Sequence, residues 1–600
     1  MTDIGKIRNG NLIDLKLNGL NNTPVEQPKE VQTVKGGSDL INQYLENQAQ
    51  INKPSVGKTE AVNGVGSAPA NYKNNLRTMF RDNKAVILAI VPRNFTAQDK
   101  NGDELIKVNE GEKPGTFLSA IDRLDEVKAQ GFNTFHILPI HPPGKTDAMG
   151  TAGSLYAPLK YIEDDGQIAI DPVLVDKNDP RSPQEQMKAF INECHKRDIK
   201  VMLDLPSCAS VDMFKAHPEL MAIDKHGNPE TPQGWLDIRM FNPWKDKSTR
   251  ELNKALLDMH LKYVDSCIDL GIDGIRSDVA RAKPTEFWDI LIKHAREKDP
   301  EFAMLGESYT YETASPQANM PYDRPEDSLR AGFDAIYGQH HIFHELKNSK
   351  EASNYITEML DMSDRLPAGK TLIGSFMTHD DESLMNHGGP DFCNLVSIVQ
   401  STIPMCNPYV LDGFQSGDYY NYGYAHQHVK ESETVTDNTE LEVHPYKMDI
   451  FNLTRKPGGD HPEIGKVMTS ANKNRVKYQD LISKGSYIEL EKEKDKHDQV
   501  WAYARHLNGK TLLVVANMNK NRPSSAIVKV PGLKASQELN NLVDNYGQPS
   551  RFQVKPGEVR LELGPSRAHV FEIDTPDIER NVNPKQIHRQ NFTNPENMKY

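Results

Sequence analysis

Four short apolar runs of this chain end on or next to a carboxylate. VMLDL carries Asp204, DGIRSD ends at Asp278, MLGE at Glu307 and SFMTHD at Asp380. An acid at the exit of a buried run is costly unless it is paired, because burial without a partner is strongly unfavourable. A single such residue reads as a salt-bridged structural group. Four of them, with Arg276 two residues before Asp278, read as acids gathered in one cleft. Retaining glycoside cleavage needs such a cluster: one carboxylate stays ionised as nucleophile while another keeps a raised pKa and protonates the leaving oxygen.

The elements that must carry these residues follow from the pattern around them. AVILAIV (85–91), NTFHILPI (133–140), IKVMLDL (199–205), DGIRSD (273–278), EFAMLGE (301–307), GFDAIYG, TLIGSFMT (371–378) and IPMCNPYVL (403–411) are strand-like. Helical stretches alternate with them, one opened by the capping-box pattern Ser182-Pro183-Gln184-Glu185. Short apolar runs alternating with helices indicate a parallel sheet, and about eight such units indicate a closed (β/α)8 TIM barrel. Active sites of such barrels form at the C-terminal ends of the strands, where the four acids lie. The expected domains are a catalytic barrel over 81–484, with long insertions at about 141–181 and 206–247, and an independent antiparallel β-sandwich over 485–575. WAYARHL, TLLVVANM, SAIVKV, EVRLEL and HVFEID supply the sandwich strands. Residues 1–80 are rich in Asn, Gln, Lys, Gly and Pro and read as a largely disordered segment, with a transient helix near 38–45. Residues 576–600 read as a loose polar tail.

Composition narrows the function classes. With 71 basic and 84 acidic residues the net charge is −13, which opposes a nucleic-acid binder. No run approaches the roughly 18 apolar residues of a membrane span, and MTDIGKIRNG has no secretory h-region. The cysteines (Cys194, Cys208, Cys267, Cys393, Cys406) form no CxxC pair, so reduced thiols in a cytoplasm are expected. His340 and His344 have the i, i+4 spacing of a zinc pair but no HExxH, so a surface or packing role is expected. No cofactor is implied, and the sequence does not define an oligomeric state.

The motifs resemble those of the α-amylase superfamily, glycoside hydrolase family 13. GIDGIRSDVA is similar to its nucleophile motif, LGES to its acid/base motif, and FMTHDD to its strand-seven motif, while LDLP matches the strand-three motif at Asp204. The resemblance covers roughly 84–575. It implies Asp278 as nucleophile, Glu307 as general acid/base and Asp380 as the acid that favours the distorted sugar. It further implies Arg276, His379 and Asp204 as substrate-site residues and Tyr156, in GSLYAP, as an aromatic platform under that sugar. The Asn-His that usually closes the strand-three motif is Cys208-Ala209 here, and these side chains cannot supply the oxygens a hard cation needs, so no calcium is expected there. The usual Lys-His after the nucleophile is Arg281-Ala282.

Other segments are closer to the superfamily's maltosyltransferase branch: LPIHPPG with GSLYAP, HPEL (217–220) and KPTEFWDILI (283–292). The Lys and Tyr with which that branch grips phosphate are absent from GNPETPQGW (227–235). The leading expectation is a retaining enzyme that hydrolyses or transfers α-1,4-linked glucosyl or maltosyl units of an α-glucan. A maltosyltransferase using maltose-1-phosphate is the second reading. A catalytically silent glucan-binding protein is the third, and the retained acids oppose it.

Overall fold

The computed structural model describes residues 72–149, 152–232, 235–309, 325–381, 383–418, 450–454, 459–543 and 550–595. Eight parallel strands close into a barrel: β1 (Ile87–Ile90), β2 (Thr134–Ile137), β3 (Lys200–Leu205), β4 (Gly274–Ser277), β5 (Ala303–Tyr309), β6 (Ala335–Tyr337), β7 (Thr371–Gly374) and β8 (Cys406–Leu411). Each strand pairs with the next in sequence, and β8 closes on β1. These are the eight apolar runs of the sequence. They are buried on both faces, as parallel strands covered by helices must be. The helix Pro183–Lys196 starts as its pattern demands, with Ser182 and Glu185 forming the reciprocal capping box. The long connections after β2 and β3 lie on the C-terminal side. The second carries a short antiparallel ribbon, Cys208–Ser210 against Ile238–Met240.

Two antiparallel sheets follow the barrel. One has the order β16-β12-β11-β9-β17, from β9 (Ser486–Glu489), β11 (Val500–Leu507), β12 (Lys510–Asn517), β16 (Ala568–Ile573) and β17 (Ile587–His588). The other is β10-β13-β15-β14, from β10 (Lys492–Glu493), β13 (Ser524–Lys529), β14 (Arg551–Lys555) and β15 (Glu558–Leu563). The sandwich is not independent of the barrel. Val500, Ala502 and Ala504 of β11 face the second sheet, whereas Trp501 and Tyr503 join the barrel's core. The period of two divides one strand between two cores. Tyr503 hydrogen-bonds Thr402 at 2.7 Å, and the buried Arg505 donates to the Thr402 carbonyl at 2.7 Å.

Both ends depart from expectation. Residues 1–71, including the segment near 38–45, lie outside the described residues, but 72–81 are ordered. Leu76, Met79 and Phe80 of the helix Leu76–Arg81 are buried, and Tyr72 stacks on His195 at 3.6 Å. The tail is anchored as far as residue 595. Ile587–His588 extends the first sheet, Gln590 accepts from Asn83 at 2.7 Å, and Asn594 donates to the Leu366 carbonyl at 2.7 Å. Composition points to a loose tail because it registers apolar burial, whereas these residues are held by strand pairing and by side-chain amides.

If the shared face welds the two domains, Trp501→Ala should destabilise the protein by about 3–5 kcal/mol, as buried Trp truncations do. Urea unfolding followed by circular dichroism checks this. A loss below about 1 kcal/mol would mean that the barrel does not depend on this face.

Candidate active site

The strand ladder places Asp204 of β3 directly opposite Arg276 of β4. Arg276 is fully buried, and its guanidinium is the hub of the barrel mouth. Nη1 donates to Asp204 at 2.9 and 3.0 Å and to Asp278 Oδ1 at 3.1 Å, and Nε donates to the Tyr337 hydroxyl at 3.2 Å. Nη2 lies 3.0 Å from Glu307 Oε2, off the line of its N–H bonds, so this is an ion contact without a hydrogen bond. One cation thus reaches three acids from three adjacent strands.

Asp204 also meets His136 Nε2 at 3.1 Å and accepts from the Tyr156 hydroxyl at 2.8 Å. His136 in turn meets the Tyr409 hydroxyl at 3.1 Å. The Tyr156 ring lies parallel to His379, with centroids 5.3 Å apart, and His379 Nε2 is 3.3 Å from Asp380. The seven residues singled out in the sequence therefore stand together at one mouth of the barrel. Asp204 and Arg276 reach no solvent, and Arg276 carries the contact on to Asp278 and Glu307. Asp380, one-third exposed, is the open member of the set.

Local backbone sharpens the arrangement. Val279, after Asp278, sits at φ 35°, ψ 60°, a left-handed conformation that a β-branched residue adopts only under constraint. There its N–H donates to Glu307 Oε2 at 2.8 Å. Ser207, beyond β3, clamps the other side: its N–H donates to Asp278 Oδ2 at 3.1 Å and its hydroxyl to the Asp278 carbonyl.

Burial pushes Glu307 up to about 8; Arg276 opposes the shift, and the charges of Asp278 and Asp380 add to it. Burial also raises Asp278, against Arg276 and against hydrogen bonds from Glu307 and Ser207. Asp204 is held below the carboxylate range, because Arg276 and His136 outweigh its burial. Near neutrality Asp204 is therefore ionised and Glu307 keeps its proton, with Asp278 held between Arg276 and Ser207. Burial lowers His379 to about 4, so its ring is neutral.

His136, Tyr337, Tyr409, Ser207 and Lys283 complete the surroundings and were not foreseen. The only signal for His136 was a titratable residue inside the apolar NTFHILPI, at a position that faces the barrel axis. Cys208 and Ala209 begin the ribbon beside Asp278. Among the described residues one group of acids could hold a cation, Asp99, Asp103 and Glu112, far along the chain from these motifs. Glu112 and Asp99 already accept backbone N–H groups there. His340 packs on Phe376 and Tyr355, and His344 stacks on His387.

No family model matches the chain. The α-1,4-glucan:maltose-1-phosphate maltosyltransferase of Picrophilus torridus is 24% identical over 492 residues, 76% of this chain and 68% of that one. The enzyme of the same name from Pseudomonas aeruginosa is 27% identical over 260 residues, 41% of this chain and 35% of its own length. The chain thus spans two-thirds of the first relative and about a third of the second. Among solved structures, a maltogenic α-amylase of Thermotoga neapolitana superposes with a TM-score of 0.57 at 21% identity, over 83% of this chain and all of that one. The chain shares its barrel fold with the α-amylases. The curated relatives it resembles are maltosyltransferases.

The hub makes a direct prediction. Arg276→Met leaves Asp204 and Asp278 buried without their cation, which should cost about 3–5 kcal/mol in a urea titration. A variant as stable as the parent would mean that another group compensates these acids.

Proposed function

We infer that the protein is a retaining α-glucan-active enzyme that cleaves or transfers α-1,4-linked glucosyl or maltosyl units by double displacement. The observation that carries this reading is one guanidinium shared by two acids from adjacent strands, Asp278 at 3.1 Å and Glu307 at 3.0 Å, with burial pushing Glu307 up to about 8 so that it can serve as the proton donor. Asp278 attacks the anomeric carbon while Glu307 gives its proton to the departing glycosidic oxygen. The bond from carbon to that oxygen breaks as the bond to Asp278 forms. Glu307, now a carboxylate, takes a proton from water or from a sugar hydroxyl, and that oxygen displaces Asp278 with net retention. Asp380, open to the cleft, binds the hydroxyls of the distorted ring. Tyr156, held by Asp204 and His379, offers its face to the apolar side of the same sugar.

Transfer from maltose-1-phosphate is the finer reading, favoured by the names of the relatives. It needs a cation or hydroxyl for the phosphate other than the missing Lys and Tyr of 227–235. Incubation with maltoheptaose, with and without inorganic phosphate, and chromatography of the products separates the cases. Maltose-1-phosphate formed only with phosphate supports that donor; redistributed or shortened oligosaccharides in both arms favour transglycosylation or hydrolysis. The five thiols are all free and buried, which fits a reducing cytoplasm. Among the described residues no helix is long and apolar enough to cross a membrane.

Asp278→Asn and Glu307→Gln should both abolish turnover of maltooligosaccharides, but for different reasons. Removing a general acid costs about 10²–10⁴-fold, and a leaving group that needs no proton relieves much of that loss. With α-maltosyl fluoride, Glu307→Gln should therefore accumulate a maltosyl adduct on the peptide carrying Asp278, whereas Asp278→Asn should show none. An adduct on Asp204 or Asp380 would move the nucleophile to another strand. In the wild type kcat/KM should fall above about pH 8, where Glu307 loses its proton, and also at acid pH, where Asp278 gains one. A profile flat through pH 9 would contradict Glu307 as the acid.

A further inference from the structure

Behind Asp278 stands a cation with no place in the mechanism above. Lys283 is only 1% exposed. It follows the helical turn Ala280–Ala282 that β4 runs into after Asp278 and Val279, and it precedes the helix Thr285–Lys298. A lysine is almost never buried so completely without a paired task. Its Nζ donates to Ser207 Oγ at 3.1 Å and lies 5.6 Å from the ring centroids of Phe241 and Trp288, so the ammonium sits in an aromatic sleeve. Ser207 is the residue that grips Asp278 twice, at the carboxylate and at the backbone carbonyl. The ammonium has one donor directed at the hydroxyl, which in turn donates to the backbone carbonyl of Asp278, while the Ser207 N–H holds the carboxylate.

We propose that Lys283 is a positioning residue, fixing Ser207 and through it the main chain at Asp278 so that the carboxylate keeps its attacking orientation, and balancing the carboxylate's charge from the side opposite Arg276. The proposal rests on the assignment of Asp278 as nucleophile. The groups facing Lys283 are Ser207, Cys208, Asp278 and His260, and those facing Asp278 are Arg276, Asp204 and Glu307. Burial lowers Lys283 to about 8, against the pull of Cys208 and Asp278, so it is cationic at neutral pH; burial keeps His260 neutral. The attraction is reciprocal: a carboxylate that stabilises the ammonium is stabilised by it. Lys283 touches no substrate, since Ser207 and the aromatic sleeve enclose it. It therefore acts on how readily Asp278 ionises and how it points, not on binding.

The test compares wild type, Lys283→Met, Lys283→Arg and Ser207→Ala. Protonated carboxyls react with a water-soluble carbodiimide, so labelling of the Asp278 peptide against pH, read by mass spectrometry, follows the protonation of Asp278 without requiring turnover. Lys283→Met should move the labelling midpoint up by about one pH unit, a tenfold change in proton affinity, and Lys283→Arg should restore most of it. Ser207→Ala should move it the same way by a smaller amount. With α-maltosyl fluoride, Lys283→Met should lower kcat by at least about tenfold while KM stays within about twofold, and the acid limb of the profile should shift with the labelling midpoint. An unmoved midpoint in a Lys283→Met protein that melts like the parent would overturn the proposal. If that variant does not fold, an unmoved midpoint in Ser207→Ala overturns it instead. A wild type that releases no fluoride counts against the glycosyl-transfer reading, while the labelling series still decides whether Lys283 governs Asp278.

Discussion

The barrel mouth depends on the burial of one guanidinium among three acids. Arg276 could not be placed there without compensating anions, and Asp204 and Asp278 could not be ionised there without it. A planar fork with donors on three nitrogens meets acids from β3, β4 and β5 and a tyrosine hydroxyl from β6 at once, and a lysine's point charge could not. Such a network adds little net stability over an apolar core, but it enforces a geometry, because any residue that withdraws leaves a charge unpaired in low dielectric. That constraint explains the ring of His136, Tyr156, Tyr337 and Tyr409. Asp204 still has acceptor capacity after Arg276, and His136 and Tyr156 fill it, while Tyr409 holds His136 and the Tyr337 hydroxyl accepts from Arg276 Nε.

The same constraint separates the roles of chemically similar groups. Asp204 is saturated by donors and stays ionised with no access to solvent. Glu307 shares the guanidinium but is poorly aligned with it, lies beside two further acids, and keeps its proton. Asp380 lies at the open rim, where its charge adds to Glu307's reluctance to ionise. Four acids that are indistinguishable by type thus hold different charges through neighbours alone. The left-handed Val279 belongs to the same arrangement: the backbone accepts strain there so that one N–H is aimed at Glu307.

Much of this was legible in the sequence, and the illegible part has a common cause. The eight strands could be read because a parallel strand buried on both faces is an unbroken apolar run, and Asp204, Asp278, Glu307 and Asp380 because acids violate that pattern at its ends. The capping box at Ser182 is local and was equally plain. Ser207 and Lys283 carried no such mark. Ser207 is a small polar residue in a turn, Lys283 a cation in a charged chain, and their partnership joins positions 76 residues apart. The ordered stretch at Tyr72–Arg81 and the anchored tail at Gln590 and Asn594 were missed for the same reason. The tail is held by long-range hydrogen bonds, and Leu76, Met79, Phe80 and Tyr72 by burial and stacking against residues distant in sequence; neither composition nor periodicity records such partners. The supposed independence of the sandwich failed differently: the alternation in VWAYARHL was visible, but which core each face would meet was not.

That two-faced sheet has a consequence for how the chain is made. Synthesis proceeds from the N-terminus, and domains usually fold as they emerge. Here the last barrel strand is complete at Leu411, yet Phe343 and Thr402 wait for Trp501 and Tyr503 to cover them. Until Val500–Leu507 and Lys510–Asn517 have left the ribosome, the nascent barrel carries an exposed apolar flank of the kind chaperones recognise. A pause in translation between the two regions would lengthen that exposure, so the timing of elongation bears on the yield of folded protein even though Trp501 and Tyr503 are no part of the barrel mouth.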